Sequence, residues 1–249
     1  GIYDFYRHNA DEELDCIPSQ SSGFYMSRAM IEARMSPLYQ VRRLTLPQGF
    51  ELRPESERVA VVNDWLREHI DPFIKALPAT ARSYYGMDFA RSNDLSVIFP
   101  LIEDQHLHKR APFVIELRNV PFKQQEQVLF YIADRLPRLM GGAMDATGPG
   151  APLAEEVADK FGHTHVHQVT LNIKWYAEWM PKLIKGFEDG LIDLPMDANW
   201  AQDLRAIEDV DGVPMVSKLR RKDLKDPELQ RHGDSAVMLA LGWFATLNM

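Results

Sequence analysis

The sequence predicts an α/β protein in which a mixed β-sheet is flanked by helices. Three β-like segments, at 84–89, 95–102 and 112–117, follow one another through polar connections, which favours antiparallel pairing. After residue 123, amphipathic helical segments alternate with short apolar ones, a pattern typical of parallel strands joined by helices. We therefore expect three antiparallel strands followed by parallel strands.

Two N-terminal regions precede this predicted sheet. Residues 1–50 show little periodicity and predict an irregular arm, in which Ser27 can cap a short helix. Residues 51–80 predict a linker or packing helix, because apolar side chains recur there at helical spacing. The predicted main domain covers residues 81–249.

The later elements of this domain alternate in type. We predict further strands at 141–145, 166–173 and 191–195, and helices at 123–139, 151–161, 177–189, 199–208 and 235–247. No G-x-G-x-x-G follows a strand, which argues against a dinucleotide-binding fold. The P-loop pattern G-x-x-x-x-G-K-[ST] is also absent, which excludes ATP hydrolysis by that route.

Composition narrows the class of protein. The apolar runs are far shorter than the ~20 residues that cross a membrane, and no basic-then-apolar leader opens the chain. Cys16 is the only cysteine, which excludes an internal disulfide framework and fits a reducing cytosol. The net charge of −8 argues against a general nucleic-acid coat protein, but it permits an enzyme with a local basic patch.

Three aspartates stand at the ends or starts of predicted elements. Asp88 ends the first strand in an apolar setting, Asp145 ends the fourth, and Asp234 opens the last helix. If the first and fourth strands are parallel neighbours, Asp88 and Asp145 emerge side by side, and a helix across that edge can bring Asp234 to the same point. The alternatives are an ordinary turn residue at Asp145 and an ordinary helix cap at Asp234.

Converging carboxylates define the chemistry that such a site permits. Three carboxylates repel one another unless cations lie between them, and hard oxygen ligands select Mg²⁺ or Mn²⁺. Two such ions, roughly 3.5–4 Å apart, suit phosphodiester hydrolysis, because one activates the attacking water and the other stabilises the leaving oxygen.

Three motifs resemble a known family. GMDFARSND at 86–94, MDATGPG at 144–150 and HGDSAVMLALG at 232–242 together resemble the nuclease domain of tailed-phage terminase large subunits, in the version of Mu-like phages. The resemblance covers about residues 83–247. It implies an RNase H-like fold and a metal-dependent DNA endonuclease that cuts concatemeric viral DNA during genome packaging.

The resemblance also implies roles for particular residues and partners. The three acidic metal ligands of the family correspond to Asp88, Asp145 and Asp234, and Asp94 matches an additional acidic position with a supporting metal role. The implied partners are double-stranded DNA, the terminase small subunit and the portal, in the host cell cytoplasm. An ATPase motor precedes this domain in the family; its absence here, together with the start at Gly1, suggests that residues 1–50 are the tail of that motor or a linker.

Further candidates lie near the three acids. Glu116, within an apolar strand, can join the metals, although an outward-facing position is an equal alternative. His232 can contact a phosphate or orient water. A basic cluster can bind the DNA backbone without reading its sequence, or can be a solvated loop; it comprises Lys218, Arg220, Arg221, Lys222 and Lys225.

Two other functions fit the same residues. A junction resolvase or recombinase of the same fold would use the same carboxylates but would require branched DNA. A non-catalytic docking module of a packaging assembly would keep the acidic cluster for structural reasons and would not bind divalent metal.

Overall fold

The computed structural model describes residues 25–89, 95–216, 221–224, 230–231 and 233–248, and at residues 149, 221, 230 and 234 it describes the backbone alone. The helices are α1 Arg28–Glu32, α2 Glu55–His69, α3 Asp71–Lys75, α4 Phe122–Ala133, α5 Ala151–Phe161, α6 Ile173–Glu188, α7 Ala198–Arg205 and α8 Asp234–Asn248. The strands are β1 Met35–Ser36, β2 Gln40–Thr45, β3 Arg82–Asp88, β4 Ser96–Glu103, β5 Lys109–Arg110, β6 Phe113–Arg118, β7 Leu139–Asp145, β8 Val166–Val169, β9 Ile192–Pro195, β10 Ile207–Val210, β11 Val213–Val216, β12 Arg221–Lys222 and β13 Gln230–Arg231.

The centre of the main sheet has the strand order β6-β4-β3-β7-β8. The β3–β4 and β4–β6 pairs are antiparallel, whereas β7 is parallel to both β3 and β8. Three antiparallel strands are thus followed by parallel ones, and helices cover both faces. This is an RNase H-like mixed sheet, and it confirms the predicted fold class.

The two faces of the sheet bury separate apolar cores, because successive side chains of a strand point to opposite sides. Tyr85 and Met87 of β3 face the core beneath α2, α4 and α5. Tyr84 faces the core beneath α6, α7 and α8, where the stacked rings of Phe99 and Trp200 have centroids 5.2 Å apart. Asp88, Asp145 and Glu116 belong to the side of the sheet that faces this second core.

The prediction of an irregular arm over residues 1–50 is wrong for the part that the structure describes. Ser27 Oγ accepts a hydrogen bond from the Met30 N–H and caps α1, as expected. β2, however, pairs in parallel with β6 along its whole length and extends the sheet. The sequence of β2, QVRRLT, is mostly polar and lacks the apolar alternation that predicts a strand. The strand forms because it pairs with a distant segment.

Some predicted boundaries are also wrong. The helix predicted at 123–139 ends at Ala133, because Pro137 and the left-handed Arg138, with φ 39°, turn the chain into β7. The strand predicted at 166–173 ends at Val169, and α6 begins at once because Asn172 Oδ1 accepts from the Trp175 N–H. The helix predicted at 199–208 ends at Arg205.

A helix that spans a membrane must be both long and apolar. Across the residues that the structure describes, we find no helix with both the length and the apolar character needed to span a bilayer.

Candidate metal centre

Asp88 and Asp145 end two adjacent parallel strands. The register pairs Gly86 with Ala143 and Met87 with Met144, so the two aspartates form the next pair along β3 and β7. Neighbouring strands lie about 5 Å apart, which places the two backbones within reach of one shared cation. The side-by-side arrangement predicted for these residues is therefore present.

Both aspartates face α8. Gly86 lies two residues before Asp88, so the two share a face of β3. A β-carbon added to Gly86 would lie 2.4 Å from the carbonyl oxygen of Met238 and 2.5 Å from the backbone nitrogen of Gly242. α8 therefore crosses β3 in direct backbone contact, at the face from which the carboxylates emerge.

Two polar contacts fix the direction of α8. Near its start, Ser235 and Glu116 share the guanidinium of Arg231, and Glu116 is in register with Val97, the partner of Asp88. Near its end, the Trp243 ring lies under the Lys109 ammonium group, with 5.1 Å between Lys109 Nζ and the ring centroid. Lys109 pairs with Glu103, at the opposite end of the sheet from Asp88. The helix therefore starts at the end of the sheet where Asp88 emerges.

Asp234 is the first residue of α8, so the direction of the helix places the Asp234 backbone at the end of the sheet where Asp88 emerges. It lies one helical turn before Met238, whose carbonyl oxygen meets Gly86. The side chain of Asp234 lies outside the part of the chain that the structure describes, so its convergence with Asp88 and Asp145 stays a prediction.

The local environment of Asp145 is partly desolvated. Burial raises the pKa of the Asp145 carboxyl above its ordinary value, although hydrogen bonds with the Thr147 hydroxyl and N–H act in the opposite direction. The Thr147 N–H donates to Asp145 Oδ1 at 2.8 Å, and the Thr147 hydroxyl accepts from the Leu171 N–H at 3.1 Å. These bonds hold the carboxylate in one orientation at the strand end.

Tyr176 is a site residue that the sequence did not reveal. Burial raises the pKa of its hydroxyl, and the negative charges of Asp145 and Asp88 raise it further. The hydroxyl is therefore within electrostatic range of both carboxylates. The only signal in the sequence was the cap at Asn172, which starts α6 early enough to bring Tyr176 to the strand ends.

Glu116 has other partners. Its carboxylate is 2% exposed, so the outward-facing alternative is wrong. Glu116 Oε1 accepts from Trp200 Nε1 at 3.0 Å and from Arg231 Nη2 at 2.9 Å, and Oε2 accepts from Arg43 Nε at 2.7 Å. It lies on the same face as Asp88 but two strands away. The auxiliary metal role of Glu116 stays a prediction, and the three donors already bond to both of its oxygens.

Several predicted residues lie outside the described residues, namely Asp94, Lys218, Arg220, Lys225 and His232. Arg221 and Lys222 form β12, which pairs with β13, and the Lys222 side chain is exposed. Among the side chains that the structure describes, no group of three or more His, Cys, Asp or Glu residues is arranged to hold a metal ion. The described part of the candidate site is thus the Asp88–Asp145 pair with Thr147 and Tyr176.

The sheet order and the paired aspartates at the ends of β3 and β7 define an RNase H-like domain. No protein-family model matches the chain. It is 40% identical over 237 residues to the probable terminase large subunit gp28 of Escherichia phage Mu, covering 94% of this chain and 43% of that protein. It is 38% identical to the Mu-like prophage FluMu protein gp28 of Haemophilus influenzae, covering 92% of this chain and 44% of the relative.

A solved structure agrees in fold. The chain superposes on the large terminase of bacteriophage HK97 with a TM-score of 0.52 and 12% identity, covering 90% of this chain and 43% of that one. The chain is thus similar in sequence to the probable terminase large subunit of phage Mu and to its counterpart in a Mu-like prophage, which confirms the resemblance indicated by its three motifs. It spans less than half the length of these relatives.

Proposed function

We propose that this chain is the nuclease part of a phage terminase large subunit, a divalent-metal-dependent endodeoxyribonuclease that cuts concatemeric viral DNA during packaging. One observation carries the proposal: Asp88 and Asp145 end adjacent parallel strands on the face where α8 begins. Homology to the large subunits of Mu-like phages supports it.

The donor set fits a hard divalent cation. Asp88 and Asp145 offer carboxylate oxygens, which suit Mg²⁺ or Mn²⁺. Because burial disfavours the ionised form of Asp145, a cation beside it would offset that cost. Asp88, Asp145 and Asp234 would hold two ions, with Asp94 in support; when bound, the ions would polarise the phosphate and lower the pKa of water.

The surrounding residues would hold this set in place. Thr147 fixes the orientation of Asp145 through its N–H and links it to the start of α6 through Leu171. Tyr176, kept neutral by burial and by the two carboxylates, would act as a hydrogen-bond donor on the protein side of the site. Thr147 and Tyr176 would orient the metal-binding carboxylates and would not accept the proton of the attacking water.

DNA would be bound through backbone contacts. The exposed Lys222 on β12 belongs to the predicted basic cluster with Lys218, Arg220, Arg221 and Lys225. Lys and Arg contacts to phosphates give affinity that falls as salt rises and is independent of sequence. The terminase small subunit and the portal, in the host cytoplasm, are the proposed assembly partners.

Plasmid nicking tests the proposed function. We expect the purified chain to convert supercoiled plasmid to nicked and linear forms with Mn²⁺ or Mg²⁺, and excess EDTA to abolish the reaction. A terminase nuclease should cut linear duplex as readily as a four-way junction, whereas a resolvase should require the junction. A protein that binds the plasmid but leaves it intact at every metal concentration would favour the docking-module alternative.

A further inference from the structure

A buried ionic cluster lies at the start of α8, beside the candidate metal centre. Its central residue, Arg231, is fully buried at 0% exposure. Burial by itself would lower the pKa of this guanidinium, but Asp203 and Glu116 raise it above its ordinary value, so it stays charged. Burying a charged guanidinium is costly unless well-placed opposite charges and hydrogen bonds offset the lost hydration.

The contacts of Arg231 join three elements. Nε and Nη2 donate to Asp203 Oδ2 of α7, at 3.1 and 2.7 Å. Nη2 also donates to Glu116 Oε1 of β6 at 2.9 Å and to Ser235 Oγ, in the first turn of α8, at 2.7 Å. The planar guanidinium therefore fixes the beginning of α8 against an inner strand and a packed helix.

Gly233, the residue immediately before α8, is closely packed. Gly233 has φ 74°, and a β-carbon there would lie 2.3 Å from Val216 Cγ1. The backbone immediately before Asp234 is thus pressed against β11, which restricts where α8 can begin.

The same cluster also holds Asp223, the residue that follows β12. Asp223 Oδ1 accepts from Asn199 Nδ2 at 2.7 Å, and Asp223 Oδ2 accepts from Arg118 Nη2 at 3.2 Å. Arg231 Nη1 lies 3.5 Å from the same oxygen of Asp223. The end of β12, which carries Lys222 of the proposed DNA-binding cluster, and the start of α8 therefore share one support.

We propose that Arg231 is a positioning residue for the metal site: through Glu116, Asp203 and Ser235 it sets where α8 begins, and so holds Asp234 beside Asp88 and Asp145. This inference rests on the proposed function, because it assigns Asp234 to the metal ions. A buried ion pair often adds little stability over apolar groups of the same volume. In this proposal its role is to select one position for the start of α8. The cluster accordingly acts on the geometry of the site.

Two variants test this role, and a third is the matched control. Arg231→Lys keeps the charge but loses the planar fork. Ser235→Ala leaves the guanidinium intact and removes the hydroxyl that links α8 to Arg231 and to Asp203. Arg43→Lys disturbs the same Glu116 carboxylate from β2, where Arg43 donates to Oε2 at 2.7 Å and to Asp197 at 2.9 Å. The readouts are the Mn²⁺ dissociation constant by calorimetry and hydrogen exchange of the amides of residues 235–240.

We expect Arg231→Lys to raise the Mn²⁺ dissociation constant about tenfold, as for other residues that orient metal ligands. Amides at the start of α8 should exchange faster, and Ser235→Ala should change both readouts in the same direction. Arg43→Lys should leave both at wild-type values.

Equal shifts in Arg43→Lys and Arg231→Lys would overturn the positioning role, as would a lower melting temperature with unchanged Mn²⁺ affinity. If Arg231→Lys does not fold, the Mn²⁺ affinity and amide exchange of Ser235→Ala test the positioning role instead. A wild-type chain that bound no Mn²⁺ would refute the proposed function; unchanged exchange at the start of α8 would separately refute the positioning role.

Discussion

Asp88→Asn is expected to abolish metal-dependent nicking while the fold is retained. The amide keeps the size of the side chain but removes the negative charge that would hold the cation between β3 and β7. Loss of several kcal/mol of charge stabilisation corresponds to a rate lower by on the order of 10³-fold. The measurement is the initial rate of plasmid nicking with Mn²⁺, with circular dichroism as the check on folding.

Asp134→Asn is the matched control for this substitution. Asp134 is an exposed carboxylate at the end of α4, where it pairs with Lys160 at 2.9 Å. Its replacement should leave the nicking rate within about twofold of wild type, because a surface ion pair contributes little. Normal cutting by a folded Asp88→Asn variant would contradict the assignment of Asp88 as a metal ligand.

Gly86→Ala is expected to have the largest effect on stability. The added methyl group would meet backbone atoms of α8 at 2.4 and 2.5 Å, and a backbone cannot rotate away as a side chain can. Overpacking of this kind costs about 3 kcal/mol, which for a protein of this size lowers the melting temperature by roughly 6–12 °C. Because the helix must move away from β3, nicking by the folded fraction should also fall.

Gly212→Ala is the control that separates the steric clash at Gly86 from the general cost of replacing a glycine with alanine. Gly212 has φ 83°, and a β-carbon added there would have no heavy atom within 4 Å, so alanine should cost only about 1 kcal/mol of backbone strain. Thermal unfolding of both variants is the measurement. Equal stability of Gly86→Ala and wild type would show that α8 does not contact β3 as described.

The Asp88–Asp145 pair could be predicted because its signals are local. Each aspartate ends an apolar segment, and the helix between the two segments makes a parallel connection natural. The adjacency of the two strands, which the sequence prediction took as a condition, comes from the pairing of β3 with β7. The same reasoning could place the start of α8 near this edge, but not the direction in which the helix crosses the sheet, which depends on the close contact at Gly86.

Other parts of the fold depend on distant partners. β2 has a polar sequence, and its pairing with β6 joins segments far apart in the chain. The ionic cluster likewise unites Glu116, Asp203 and Arg231 from three separate elements. One signal was present: an acid inside the apolar strand Val114–Leu117 requires a buried cation or metal, and the sequence does not tell which of the two it has.

The most direct test of the proposed metal centre is the diffraction of a crystal of this chain soaked in Mn²⁺, with anomalous scattering used to locate the ions. We expect ions at the ends of β3 and β7, within coordination distance of Asp88 and Asp145 and beside the first turn of α8. Mn²⁺ bound only elsewhere on the protein, or no ion at these two carboxylates under saturating conditions, would contradict the proposed metal-dependent nuclease.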